Sequence, residues 1–478
     1  MAALPSNTNW DIRTTGATTN GGGYVSGSSG TDFSVQDAPN SSGVVGTATG
    51  TTSFQDISHA FTSFEVGNIL QIASGSGFTP GFYQVVSVSG GVATLNTSPG
   101  TGTAAVWALG GGLTSLTTVF ANLVSGNTVF LKAGTYTFTS TLSFPAVQKF
   151  AVEGYQSSHG DYGTRPLITT STNSTVMFLY QSTTIKGATF RNISMSNTAS
   201  TRAICVNVGL SGTVGQMLFY DCLIDGFSNA FVGDNNSSYY STELKFIRTE
   251  VKNCTATNGA VFHVGCTYMY ACWIHDNPNG SGFYTNTTPV GSLAGNSFVC
   301  CVFSGNGIDG IFSNTSSNNI SLNASNCVFY NNTADGIHFG TNVVNFTAVN
   351  CIFDSNGGYG INMPGPSPTG CTFALDCAFY NNTSGAYSTY NDGSTSITFV
   401  GLGDISLSGH PFTAASSGDF SLNGTAGQGA ACNAAGFPGV APFGTGYISV
   451  GALDPNPSGG GGGGGMLVNP GMSGGIRG

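Results

Sequence analysis

The feature that most constrains this chain is a repeat. Seven units begin Cys222-Leu-Ile, Thr249-Glu-Val, Cys272-Trp-Ile, Cys301-Val-Phe, Cys327-Val-Phe, Cys351-Ile-Phe and Cys377-Ala-Phe, with successive starts 27, 23, 29, 26, 24 and 26 residues apart. A period in the twenties marks a solenoid, in which each unit buries its apolar side only by stacking on its neighbours. Each unit reads as a strand, so its first and third residues share one side. Those columns are Cys, Thr, Cys, Cys, Cys, Cys, Cys and Ile224, Val251, Ile274, Phe303, Phe329, Phe353, Phe379. They are expected to face the interior, the cysteines as small buried hydrophobes.

Three residues after the aromatic position comes Asn in five consecutive units: Asn277, Asn306, Asn332, Asn356 and Asn382. Asn suits a recurrent turn, and stacked Asn side chains can bond to one another along the axis. Gly followed by an apolar residue comes next, in Gly310-Ile311, Gly336-Ile337 and Gly360-Ile361. The pattern Cys-x-Phe-x-x-Asn-x-x-x-Gly-Ile resembles the repeat of pectate-lyase-like right-handed parallel β-helix proteins. Residues 115–125, with a short helical pattern, and Gly126 to Tyr136 resemble the helical cap and first strand of that fold. Pro411-Phe412, Gly418 to Leu422 and Ile448 to Leu453 resemble its closing segment. The resemblance spans roughly residues 112–453 and implies fold more than function, because this scaffold hosts lyases, hydrolases, spikes and adhesins.

Composition agrees with an all-β fold. Only 7% of residues are charged, yet 40% are hydrophobic, with 33 Phe and 18 Tyr among 478 residues. That is enough apolar surface to fold, and Gly, Asn, Thr, Val and Phe favour short strands and tight turns. Twenty-one acidic against eleven basic side chains, with no basic patch, argue against nucleic acid as a partner. No apolar run reaches the roughly 20 residues of a membrane span. Residues 1–10 lack the basic and apolar regions of a secretory leader, so we expect a protein that stays inside, leaves with a particle, or is numbered after processing. None of the twelve Cys forms a Cys-x-x-Cys pair, which disfavours zinc sites built on cysteine.

The expected organisation has four parts. Residues 1–111 form a small N-terminal β module for attachment or capping, residues 112–400 the parallel β-helix, and residues 401–453 its closing segment. Residues 454–478 are a Pro/Gly linker with a docking peptide. Within the first part, residues 66–72, 81–88 and 92–95 read as short strands. The opening, from Trp10-Asp-Ile-Arg through Ser29-Gly-Thr-Asp-Phe-Ser, resembles that of phage and environmental β-helix proteins. Gly459 to Gly465 form a flexible tether. It carries a peptide whose Met466, Leu467 and Val468 are candidates for docking on another subunit or a virion protein.

Chemistry on such a scaffold is expected on outward columns. Arg248 should lie beside Asp221, and Lys252 beside Asp225, with Glu250 between them and Trp273 and His275 one coil on. Asp225 and Glu250 are the candidate acid and base of a glycosidase-like site. Trp273, Arg248, Lys252 and His275 are candidate glycan contacts. A lattice of opposite surface charges is the simpler reading of the same residues. The middle column turns apolar at Val302, Val328, Ile352 and Ala378, which suggests a covered strip: a subunit interface or the chain's own terminal segment. Asp309 and Asp335 also align, and could hold Ca²⁺ or stand as solvated turn residues. The polygalacturonase and pectate-lyase catalytic patterns are absent.

These readings point first to a virion-associated structural or host-attachment protein: a tail spike, fibre or head decoration. We expect a homo-oligomer, with a trimer favoured, that contacts other virion proteins and surface glycans and needs no cofactor. A β-helix polysaccharide lyase or hydrolase is the alternative from another class. A bacterial cell-surface or filament protein is the third.

Overall fold

The computed structural model describes residues 4–436 except 144–148, 174–175, 181–186, 209–214, 234–242, 264, 287–293, 315–319, 341–344, 364–371, 392–395, 399–400 and 434. The docking peptide and Ile448 to Leu453 lie outside the described residues. The chain divides into two compact units. The first comprises Met1–Phe138, Leu142–Thr169 and Ser182–Ser194; the second is chiefly the chain from Met195 onward.

In the first unit, Ile69–Ser74, Gly81–Ser89 and Val92–Leu95 match the three expected strands. Ser41–Thr49, Ser53–Asp56 and Thr101–Leu109 join them in a closed six-stranded barrel. Phe54, Tyr83 and Trp107 fill its core, and Trp107 Nε1 donates to Asp56 Oδ2 at 2.8 Å. Closure leaves no open strand edge in this small sheet.

The first unit extends beyond residue 111. Thr8–Ile12 runs parallel to Asn127–Lys132 and antiparallel to Gly23–Val25, outside the barrel. Asn127–Lys132 in turn pairs with Lys149–Tyr155, and that strand with Gly187–Arg191. Burial explains the placement: Trp10, Asp11 and Ile12 are fully buried. The Asp11 carboxylate accepts hydrogen bonds from Tyr155 and lies 2.6 Å from both Arg13 Nε and His159 Nε2. A buried carboxylate needs such partners; Arg13 is two residues away, whereas Tyr155 and His159 are 144 and 148 residues away. The expected helix is present at Leu116–Asn122, capped by Ser115 Oγ accepting from Thr118 N, with Leu116, Val119 and Phe120 buried.

In the second unit, every coil contributes parallel strands to three ladders. The middle ladder carries the repeat: Leu223–Asp225, Glu250–Lys252, Trp273–His275, Val302–Ser304, Val328–Tyr330, Ile352–Asp354 and Ala378–Tyr380. They pair in the register that the sequence columns predict. The Cys column and its Thr249 are buried, as are Ile224 through Phe379 in the column two residues on. Phe303, Phe329, Phe353 and Phe379 stack with centroids 4.8–5.4 Å apart and planes within 8°. Burying each ring contributes about 1.5–3 kcal/mol. Cys301, Cys327 and Cys351 each donate to the carbonyl two residues back, at 3.3–3.4 Å.

The Asn column forms a continuous internal chain. Asn277, Asn306, Asn332 and Asn356 each donate from Nδ2 to the Oδ1 of the next Asn at 2.8–2.9 Å. The Nδ2 of Asn306, Asn332 and Asn356 also reaches a backbone carbonyl one coil earlier, so both amide protons of these three are used, and Asn382 Nδ2 reaches the Phe353 carbonyl in the same way. The Gly-Ile step has a packing cause. A Cβ on Gly310 would lie 2.8 Å from the Phe329 ring, and one on Gly336 would lie 2.7 Å from Phe353.

Residues 405–432 cover the apolar strip. Phe412–Ala414 pairs antiparallel with Asp419–Leu422. Leu407, Phe412, Phe420 and Cys432 pack with Val302, Val328, Ile352 and Ala378, all four of which are fully buried. His410 Nδ1 adds contacts at 3.1 Å to both oxygens of buried Asp354. Of the two covers expected for the strip at Val302, Val328 and Ile352, a subunit interface or the chain's own terminal segment, the chain's own later segment occupies that surface.

Candidate functional site

Each of the seven repeat strands is only three residues long, and left-handed residues flank it. Before it stand Asp221, Arg248, Ala271, Cys300, Asn326, Asn350 and Asp376, with φ between 47° and 54°. Four residues after each unit start come Gly226, Asn253, Asp276, Gly305, Asn331, Ser355 and Asn381, with φ between 50° and 79°. Gly, Asn and Asp dominate because they enter this region at least cost. The second set forms a corner running along consecutive coils, and its early members help to build a groove.

The groove has a volume of about 800 Å³ and is lined by Ser196, Asn197, Thr198, Ser200, Arg202, Asp225, Gly226, Asn253, Thr255, Asp276 and Pro278. Its polar groups are held in place. Asn253 Nδ2 donates to Asp225 Oδ1 at 2.8 Å, and an Arg202 guanidinium nitrogen donates to the Asn253 carbonyl at 2.8 Å. Asp276 Oδ2 lies 2.8 Å from His275 Nδ1. Behind the groove the contacts continue: His275 Nε2 is 3.2 Å from Glu250 Oε1, and Lys252 Nζ donates to the same oxygen at 2.7 Å. One row of side chains thus links Asp276, His275, Glu250 and Lys252.

Glu250 is 8% exposed. Burial pushes its carboxyl up, but hydrogen bonds from His275 and Lys252 and their charges outweigh that and hold it below the usual carboxylate range. Such a group is suited to remain an anion rather than to donate a proton.

The structure brings some expected residues together and separates others. Arg248 pairs with Asp221 through both carboxylate oxygens, at 2.6 and 2.7 Å, and its guanidinium lies over the Tyr220 ring. Asp225 and Lys252 are aligned by register, yet Lys252 turns back to Glu250 and Asn253 takes its place at Asp225. One face of Trp273 is taken by His275, stacked 3.7 Å away. Its Nε1 donates to Ser304 Oγ, and Phe420 meets it edge-on. The open sugar platform expected at Trp273 is thus largely occupied. Asp225 alone among the candidate acid, base and glycan contacts lines the groove. Reading the sequence columns missed Arg202, Asn253 and Asp276. The last two sit between the columns at positions three and five, and their signal is the recurrent Gly, Asn, Asp or Ser at position four.

Asp309 and Asp335 are 1% and 5% exposed, so they are not solvated turn residues. His338 joins them, with Nδ1 3.5 Å from Asp309 Oδ2 and 3.3 Å from Asp335 Oδ2. Burial, and next hydrogen bonds to Asn362 and Tyr359 acting the other way, leave the Asp335 carboxyl above its ordinary value.

No protein-family model matches the chain, and no curated protein matches it. Solved structures do. Pectate lyase Pel9A is 14% identical, with a TM-score of 0.37 over 72% of this chain and 92% of its own. The catalytic unit of the GH87 α-1,3-glucanase from Streptomyces thermodiastaticus is 12% identical, with a TM-score of 0.30 over 77% of this chain and 85% of its own. The Dettilon tailspike protein is 12% identical, with a TM-score of 0.28 over 59% of this chain and 55% of its own. The ladders described above, independently of these matches, make the second unit of the chain a parallel β-helix.

Proposed function

We propose that this chain is a glycan-binding attachment protein, a structural component of a virion or an extracellular surface rather than a depolymerase. The observation that carries the reading is the groove along the position-four corner. It offers amide, carboxylate, hydroxyl and guanidinium groups along consecutive coils, with their orientations fixed by mutual hydrogen bonds. Pre-placed polar groups of this kind suit a chain of hydroxylated sugar rings, because little order must be imposed on binding. Acid–base chemistry has less support. Glu250 is ion-paired and held below the usual carboxylate range, whereas a glycosidase acid needs a raised one. The homo-oligomer, the virion setting and the contacts with other virion proteins belong to the same proposal. They rest on the opening segment and the tethered C-terminal peptide of the sequence.

A glycan array read in parallel with an oligosaccharide-release assay tests this. Retention of an acidic or neutral polysaccharide, weakened at least tenfold in Asp225→Ala and Arg202→Ala without release of fragments, is the expected result. Fragment release that disappears in Glu250→Gln would establish the lyase or hydrolase reading instead. Light scattering of the full chain reports the oligomer; a monomer at micromolar concentration would remove that part of the proposal.

A further inference from the structure

The geometry points to a divalent transition-metal site at Asp309, Asp335 and His338, separate from the groove. The two aspartates occupy equivalent positions on consecutive coils, one residue before the Gly-Ile step, and His338 lies on Ile337–Phe339. Each carboxylate is anchored by one oxygen to the next coil. Asp309 Oδ1 accepts from Asp335 N at 2.9 Å, and Asp335 Oδ1 accepts from Tyr359 N at 2.6 Å. The other oxygen of each is thereby aimed at the same imidazole nitrogen. Asn362 Nδ2 donates to Asp335 Oδ2 at 2.7 Å, which steadies that carboxylate from behind. Outer contacts of this type commonly orient metal ligands. Phe312, the cross-strand neighbour of His338, meets the imidazole edge-on at 4.8 Å and fixes its direction.

The two contacts to the imidazole are longer than a close ion pair and leave room for a metal between the three groups. A charge-assisted hydrogen bond between imidazolium and carboxylate closes to about 2.7–2.9 Å. Here Nδ1 stands 3.3 and 3.5 Å from the two oxygens, and all three ligand atoms lie within 4.8 Å of one another. A tetrahedral zinc ion with bonds of about 2.0–2.2 Å separates its ligand atoms by roughly 3.3–3.6 Å. The second observation is Asp309 itself. Its side chain is 1% exposed, and its Oδ2 faces the imidazole at 3.5 Å. Buried carboxylates are normally paired closely or bound to a metal. An imidazole with two carboxylates suits Zn²⁺, Mn²⁺ or Fe²⁺, whereas Ca²⁺ takes six to eight oxygens. The Ca²⁺ expectation for the aspartate pair is revised accordingly. His338 side-chain exposure of 27% leaves an approach for the ion and for a solvent molecule as fourth ligand.

The test is calorimetry of the untagged full chain, stripped with chelator and titrated with Zn²⁺, alongside absorbance on titration with Co²⁺. The expected result is one equivalent of Zn²⁺ bound, Co²⁺ bands that Zn²⁺ displaces, and at least tenfold weaker binding in both His338→Ala and Asp309→Asn. Circular dichroism of the variants checks that the coils remain formed, and His338→Ala is the safer variant because its side chain reaches solvent. Absence of stoichiometric binding in the wild type overturns the proposal. So does binding that falls less than tenfold in a folded His338→Ala.

Discussion

A single buried amide shows how tightly a residue can be tied into this fold. Asn332 donates to Asn356 Oδ1 and to the Phe303 carbonyl, while its own Oδ1 accepts from both nitrogens of Asn306. Asn332→Ala would strand several of these groups, at a cost of about 1–3 kcal/mol for each buried group left unpaired. We expect a loss of several kcal/mol in urea unfolding, and a smaller loss for Asn382→Ala, because Asn382 is half-buried. His263 makes a different prediction. Burial pushes its imidazole down to about 3, and Thr267 Oγ1 is its neighbour at 2.8 Å. The unfolded chain takes up a proton near pH 6.5 and the folded chain does not. Stability from this group is therefore complete above pH 6.5 and declines as pH falls towards 3. With about 1.4 kcal/mol per pH unit, the decline between pH 7 and pH 4 is on the order of 2–3 kcal/mol. Denaturation midpoints across that range should fall less steeply in His263→Gln; equal slopes would rule out the assignment.

At the level of the strand and its turns, close approach between coils sets the tolerance to substitution. A Cβ on Gly336 would lie 2.6 Å from the Gly360 carbonyl oxygen and 2.7 Å from Phe353, whereas one on Gly424 meets nothing within 4 Å. Gly336→Ala is expected to cost about 1–3 kcal/mol by overpacking, and Gly424→Ala to change thermal stability little. A Gly336→Ala protein as stable as wild type would show that the coils can separate locally. The three-residue strands were legible because alternation puts Cys and Phe on one side, whatever the length of the intervening turns. The groove was less legible. Its walls come from left-handed corner residues, and a corner fixes where the backbone turns without fixing which neighbour a side chain will choose. Lys252 is the example: register sets it beside Asp225, but its flexible chain turns back to Glu250.

Across the whole molecule, the covering segment decides what surface the β-helix offers. Phe412 and Phe420 stand edge-on to each other, and both meet Tyr330 edge-on, over the buried Val302–Ala378 strip. Phe420→Ala should cost about 3–5 kcal/mol and raise binding of an apolar dye. Removal of residues 405–436 should expose the strip and drive aggregation in light scattering; a soluble, monodisperse truncation would show that the cover is dispensable. The sequence alone determined the stacked coils, the column order and the Asn chain, because each follows from a spacing of side chains along one strand and one turn. Tertiary structure decided that residues 8–12 pair with Asn127–Lys132, that residues 405–432 lie on the strip, and that His338 meets Asp309 and Asp335. Those contacts join positions with no common period, and burial of apolar surface and buried charge selects them only once the coils exist to be packed against.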